Sequence, residues 1–209
     1  MTARAWILGC VLATAATAAT AAVEDGWLEQ LYDEVASDLK AGKPLVVHAH
    51  VPLCDNRIIR CGGHGLGDGD DPDRNLYWRT SGGFRGWFGR RRSGWRQVLV
   101  AKGKGSVLET RIWKRRFGPA AGWRSRGVRS SFDVYVVAQA WRGTSIQAAM
   151  ATYVARLTGA MPESYRLADG TVVRAGGDAR VVAFVGHNGW MDIDSYDWRK
   201  RLEGADGKR

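Results

Sequence analysis

Three stretches decide the fold: Leu45-Val46-Val47-His48-Ala49-His50-Val51, Asp133-Val134-Tyr135-Val136-Val137-Ala138-Gln139-Ala140 and Arg180-Val181-Val182-Ala183-Phe184-Val185. Each is short, nearly continuous in apolar side chains and rich in β-branched residues. Strands buried on both faces of a parallel sheet read this way, whereas half-solvated strands alternate. Between them lie helical patterns. Trp27–Lys40 carries an apolar stripe at Leu28, Leu31, Val35 and Leu39, and Gly42-Lys43-Pro44 ends it. Thr144 can cap a second helix whose inner face is Ile146, Ala149, Met150, Tyr153 and Leu157.

The intervening segments are shorter and more broken. Pro52–Arg74 is a loop rich in Gly and Asp. Leu76–Phe88 is aromatic, with a short helix interrupted at Ser81-Gly82-Gly83. Gln97–Ala101 and Val107–Trp113 read as strands joined through Gly103-Lys104-Gly105, and Pro162–Gly177 as a loop or hairpin. Strand, helix, strand, helix, strand predicts an α/β domain with a mainly parallel sheet and flanking helices. About 20 residues follow the third run and close on the polar Leu202–Arg209. A parallel strand usually has two neighbours, so a further helix and strand are expected there, and the sheet reads as incomplete at its C-terminal side.

Composition narrows the class. The chain has 209 residues, 45% hydrophobic and 25% charged, with ten Trp and a formal net charge of +10. These values exclude disordered, collagenous and coiled-coil chains. Met1–Arg4 is a basic start and Ala5–Ala22 is uncharged, with small residues at Ala16-Thr17-Ala18 and Ala19-Thr20-Ala21. Residues 1–22 therefore read as a signal peptide and 23–209 as one α/β domain, exported to the periplasm or beyond. A membrane anchor is the weaker reading, because the Ala/Thr-rich half is poorly hydrophobic. Ile7-Leu8-Gly9-Cys10 resembles a lipoprotein box only slightly, since most of the apolar stretch follows Cys10. No later segment is apolar enough to span a bilayer. In an oxidising compartment Cys54 and Cys61 are expected to form a local disulfide; the competing reading is a reactive thiolate at Cys54.

In open α/β sheets, sites gather in the loops after the strands' carboxyl ends. After the first run come Cys54-Asp55-Asn56 and Gly67-Asp68-Gly69-Asp70-Asp71-Pro72-Asp73. After the second comes Trp141-Arg142-Gly143, and after the third His187-Asn188-Gly189 with Met191-Asp192. Asp55, Asn56, Arg142, Asn188 and Asp192 are the candidate binding residues. His187 is the candidate catalytic group, because flanking glycines let a substrate approach and leave amide donors for an oxyanion. A turn histidine with one structural hydrogen bond is the bland alternative.

Two further readings stay open. His48 and His50, two apart in a strand, point to one face and could hold zinc with His187 or Asp192, although the spacing fixes no third ligand. The Asp-Gly loop lacks the glycine and glutamate positions of an EF-hand and reads as a turn cluster, with weak Ca²⁺ binding outside the cell as the alternative. No cofactor or metal is expected. Separately, Arg79–Arg129 holds 15 Lys and Arg against the single acid Glu109, interleaved with Trp87, Trp95, Trp113 and Trp123. That suits an anionic lipid or glycan of the cell envelope rather than nucleic acid, or it is a solvated basic face whose Trp residues are core.

The segments LCDN, GDGDDPDRNLYW, GGFRGWF, DVYVVAQAWRGTSIQAAM and VAFVGHNGWMD resemble a group of exported, uncharacterised bacterial proteins. Their strand followed by GHNG is similar in turn to caspase-like cysteine peptidases of the legumain and gingipain class. That resemblance implies a three-layer caspase-like architecture. It makes His187 a general base and Gly189 a possible oxyanion contributor, beside a Cys that closes the next strand. Two departures stand out: Asn188 separates His from Gly, and no Cys follows His187. The resemblance implies a hydrolase-like protein that is inactive as this chain. The alternatives are a non-enzymatic binder of anionic envelope surfaces and a zinc hydrolase using His48, His50 and His187.

Overall fold

The computed structural model describes residues 26–63 and 65–187. The leader at 1–22, Asn188, Gly189, Met191 and Asp192 lie outside the described residues. The chain forms two compact units. One joins the described part of Met1–Lys43 to Gly118–Ser130; the other joins Pro44–Phe117 to the described part of Ser131–Arg209.

In the first unit, helix α1 (26–40) buries Val35, Ala36 and Leu39, the inner end of its predicted stripe, while Leu28 is exposed. The short helix α3 (Ala121–Ser125) supplies Trp123, whose ring meets Tyr32 edge-on. Arg126 lies over the Tyr32 ring and pairs with Glu29 and Asp33.

The second unit is built on a five-stranded sheet of strands β1 (Leu45–Pro52), β2 (Arg96–Lys102), β3 (Val107–Phe117), β4 (Phe132–Trp141) and β7 (Val181–Phe184). Their order is β2-β3-β4-β1-β7. All three apolar runs are strands, and β1 runs parallel to both β4 and β7. The sheet as a whole is mixed rather than mainly parallel, because β2–β3 and β3–β4 are antiparallel. For β2–β3 the physical reason is connection length. Gly103–Ser106 is far too short for the crossover a parallel pair needs, and Gly105 at φ +64° closes it as a hairpin.

Expectations for the third run also change. β7 is an edge strand, with Val181 43% and Val185 39% exposed, and its apolar run is only partly covered by described residues. An apolar run signals a strand more securely than it signals two covered faces.

Side-chain alternation sorts the core. Val46, Ile112, Tyr135 and Val137 point to one face, where Val173, Ala175 and Leu167 of the β5 (Pro162–Arg166) and β6 (Val172–Gly176) hairpin cover them. Helix α4 (Ile146–Leu157) packs on the same side through Met150 and Val154, against Phe184. Ala49, Val51, Trp113 and Ala138 point to the other face, under Trp78, Phe84 and Phe88 of the 76–95 segment and its helix α2 (Phe84–Phe88). Ahead of α4, Gly143–Ser145 forms a 3-10 turn and Ser145 occupies the cap position, so the predicted cap, Thr144, is instead exposed.

Candidate functional site

The carboxyl ends of β1 and β4 carry the first predicted cluster. Asp55 is 1% exposed, yet its carboxylate is fully engaged: Arg57 Nη2 and Nε reach it at 2.6–3.1 Å, and the Arg57 amide donates to Oδ1 at 2.9 Å. Hydrogen bonds from Arg57 are the main reason the Asp55 carboxyl titrates below its ordinary range, despite burial that opposes ionisation. The same guanidinium reaches Asp70 at 2.7 Å, and Arg142 also pairs with Asp70. Asn56 accepts from the Cys61 amide at 2.9 Å. Asp55, Asn56 and Arg142 thus share one cluster, in which Asp55 and Asn56 line a hollow of about 310 Å³ and Arg142 joins through Asp70.

Glycines explain how the loops close so tightly. A Cβ at Gly69 would sit 2.2 Å from Asp55 Oδ2, one at Gly67 2.3 Å from Asn56, and one at Gly143 2.7 Å from the Asp55 Cβ. The Gly143 amide donates to Gly69 O at 2.8 Å. Asn75, buried, receives the Cys54 amide and donates to Cys54 O and Asp68 O. The Cys54–Cys61 disulfide, expected from the sequence, completes the clasp with its Cα atoms 5.9 Å apart. Asp55 and Asp70 are both paired with arginines, so the cluster acts as a brace.

His187 follows β7 at the carboxyl edge of the parallel strands and is half-buried, its ring 6.2 Å from that of Tyr77. Tyr77 also lines an apolar groove of about 400 Å³ together with Leu76, Phe84, Trp87, Phe88 and Val185. His187 thus neighbours the groove through Tyr77 and is not itself part of its lining.

His48 and His50 share one face, as the alternation required, with rings stacked at 5.0 Å and no exposure. What meets them is Arg156 of α4, its Nη1 2.9 Å from His48 Nε2 and 3.3 Å from His50 Nε2. Arg156 also donates to Gln139 Oε1 at 2.9 Å and to Glu163 Oε2 at 2.7 Å. The Gly176 amide donates to His48 Nδ1 at 2.9 Å, which puts that ring's proton on Nε2, toward Gln139. Arg156 then faces His48 donor against donor and spends its protons on Gln139 and His50. His50 in turn keeps its proton on Nδ1, a buried atom with no hydrogen bond among the described residues. Burial first, and the Arg156 charge second, hold the His48 pKa down to about 3; burial, His48 and Arg156 together hold His50 well below its ordinary value. Among the described residues no group of three or more His, Cys, Asp or Glu side chains could hold a metal ion. The sequence reading missed Arg156, Gln139 and Glu163. The available signal was a cation on the inner face of α4, three residues beyond Tyr153.

The basic stretch separates into packed aromatics and surface cations. Trp113 is fully buried, Trp95 packs on Phe88 and Phe117, and Trp87 is 46% exposed. Glu109 and the neighbouring Asp73 and Asp133 pair with Arg85, Arg111, Lys114 and Arg116. Comparison with protein-family models, curated proteins and solved structures returned no match.

Proposed function

We propose that this chain is an exported, caspase-like hydrolase fold that carries the histidine of the site but not its nucleophile, and is catalytically silent by itself. The observation that supports it most is the parallel trio β4-β1-β7, which sets His187 at the carboxyl end of an edge strand with nothing paired on its outer side among the described residues. One more parallel strand on that edge, ending in Cys, would deliver a thiol beside His187. His187 would take the thiol proton, the thiolate would add to a peptide carbonyl, and the proton would pass to the leaving amine. The apolar groove beside Tyr77 would seat a substrate side chain, and Gly189 would contribute an amide to the oxyanion. The sequence contains Cys10, Cys54 and Cys61 only, and the last two are joined, so this chain supplies no such thiol. A signal peptide at 1–22 and a periplasmic or secreted location belong to the same reading, with which the disulfide is compatible.

Reading the coding DNA beyond Arg209 tests it. A strand-like segment ending in Cys is expected. The chain extended through it should cleave peptide amides, and His187→Ala should lower that activity by about 1000-fold or more. No Cys-terminated strand in any frame, or amide cleavage by the present chain that survives His187→Ala, would sink the proposal.

A further inference from the structure

The turn that follows α2 is cationic, rigid and short of acids. Ser93 fastens it: its hydroxyl donates to Phe88 O at 3.0 Å and receives the Trp95 amide at 3.2 Å, and its own amide donates to Arg90 O at 3.0 Å. Gly94, at φ +73°, lets the Arg115 guanidinium lie against the turn, where a Cβ would come within 3.2 Å of it. Arg115 donates to Ser93 O at 3.1 Å and stacks over the Phe117 ring at 4.8 Å. Arg90, Arg91, Arg92 and Arg96 are all exposed. The acids nearest in sequence are spent on Arg85, Arg111, Lys114 and Arg116, and among the described residues no carboxylate pairs with these four arginines or with Arg115. Arg90 donates to Ser81 O, but a carbonyl does not neutralise a guanidinium; cations held without carboxylate partners cost the native state some self-repulsion, which an anionic surface would relieve.

Trp87 identifies the kind of anion. It precedes the turn by two residues and is half-exposed, while Phe88 beside it points inward to Trp95 and Trp113. A nucleic acid or glycan groove would use several exposed rings as stacking platforms, and here the other aromatics are packed. One exposed indole beside a row of arginines fits the headgroup level of a bilayer, where Trp partitions and phosphates meet guanidinium groups.

We propose that Trp87, Arg90, Arg91, Arg92, Arg96 and Arg115 form a docking surface for an anionic lipid layer. It shares Trp87 with the rim of the apolar groove beside Tyr77, but its cations stand apart from that groove and it does not require His187.

Sedimentation of the chain lacking residues 1–22 with lipid vesicles tests the surface, using phosphatidylcholine alone and an equal mixture with phosphatidylglycerol. Binding to the mixed vesicles only, falling steeply with salt, is expected. Each cation near an anionic surface contributes about fivefold, so changing Arg90, Arg91 and Arg92 together to Gln should weaken binding about 100-fold at low salt. The corresponding Lys variant should retain most of it. Trp87→Ser should weaken binding without altering the salt dependence, a change that misfolding would not produce. Equal binding by the Gln variant, equal binding to neutral vesicles, or retention by a sulfated glycan resin with none on vesicles would overturn the proposal.

Discussion

Acidification puts the buried histidine pair under a quantitative test. Both rings are fully buried on β1, and the groups facing them are Arg156 and Tyr153 from α4, Gln139 and Trp141 from β4, the Gly176 amide from β6, and Glu163 through Arg156. Among the described residues no carboxylate touches either ring directly, so a proton arriving on His48 or His50 meets a guanidinium and no counter-charge. The native state therefore keeps both rings neutral well below pH 6.5, the ordinary value, with His48 held to about 3. In the unfolded chain both protonate near 6.5. Stability is complete above that pH and is lost as pH falls toward the native values, because the unfolded state then binds more protons. The slope is about 1.4 kcal/mol per pH unit for a ring that stays neutral, so at about pH 5 His48 alone removes about 2 kcal/mol, and His50 adds to the loss in the same direction. Against a typical stability of about 5–15 kcal/mol this is a large share. The carboxyls of Asp55, Asp73 and Asp169 are held below their ordinary 3.8 and withdraw stability only at more acid pH, which leaves the window from 6.5 to 4.5 to the imidazoles. Urea titration followed by tryptophan fluorescence at about pH 7.5 and 5 measures the loss. The His48→Gln, His50→Gln double variant starts less stable and should lose little more on acidification. An unchanged wild-type midpoint, or the same acid loss in the double variant, would refute the reasoning.

The loop brace yields two further expectations. Replacing Cys54 and Cys61 by Ala opens a small closed loop and should cost about 2.5 kcal/mol in urea titration; no loss would mean the Asn75 and Asn56 hydrogen bonds hold the loop unaided. Gly69→Ala drives a methyl into the Asp55 carboxylate and should cost about 2–3 kcal/mol through overpacking and a displaced buried ion pair. Gly63→Ala, with nothing within 4 Å of its added carbon, should change stability by under about 0.5 kcal/mol. Equal effects at both positions would dismiss the close-packing account.

The strands were legible because their signal is local. Runs such as Leu45–Val51 and Asp133–Ala140 declare themselves by composition, and the turn at Gly103–Gly105 by its glycines. The candidate cluster was partly legible for a related reason: strand ends collect loops, and Asp55, Asn56 and Arg142 all lie in those loops. Their shared partners were not legible, since the ion pairs join residues as far apart as Asp70 and Arg142. The basic stretch shows the same division. Its charge is visible in the sequence, but which Trp packs and which arginine stays unpaired depends on strand alternation and neighbouring acids.

By itself, then, the sequence determined the α/β class, the strand positions, the local disulfide and the place of His187 after the last strand, because each rests on residues close together in the chain. Only the tertiary structure decided that the sheet is mixed, that β7 is an edge, that Asp70 pairs with Arg142, and that His48 and His50 face Arg156. Those outcomes depend on which residues distant in sequence are brought within hydrogen-bonding distance, and that is set by strand order and helix placement rather than by any local pattern.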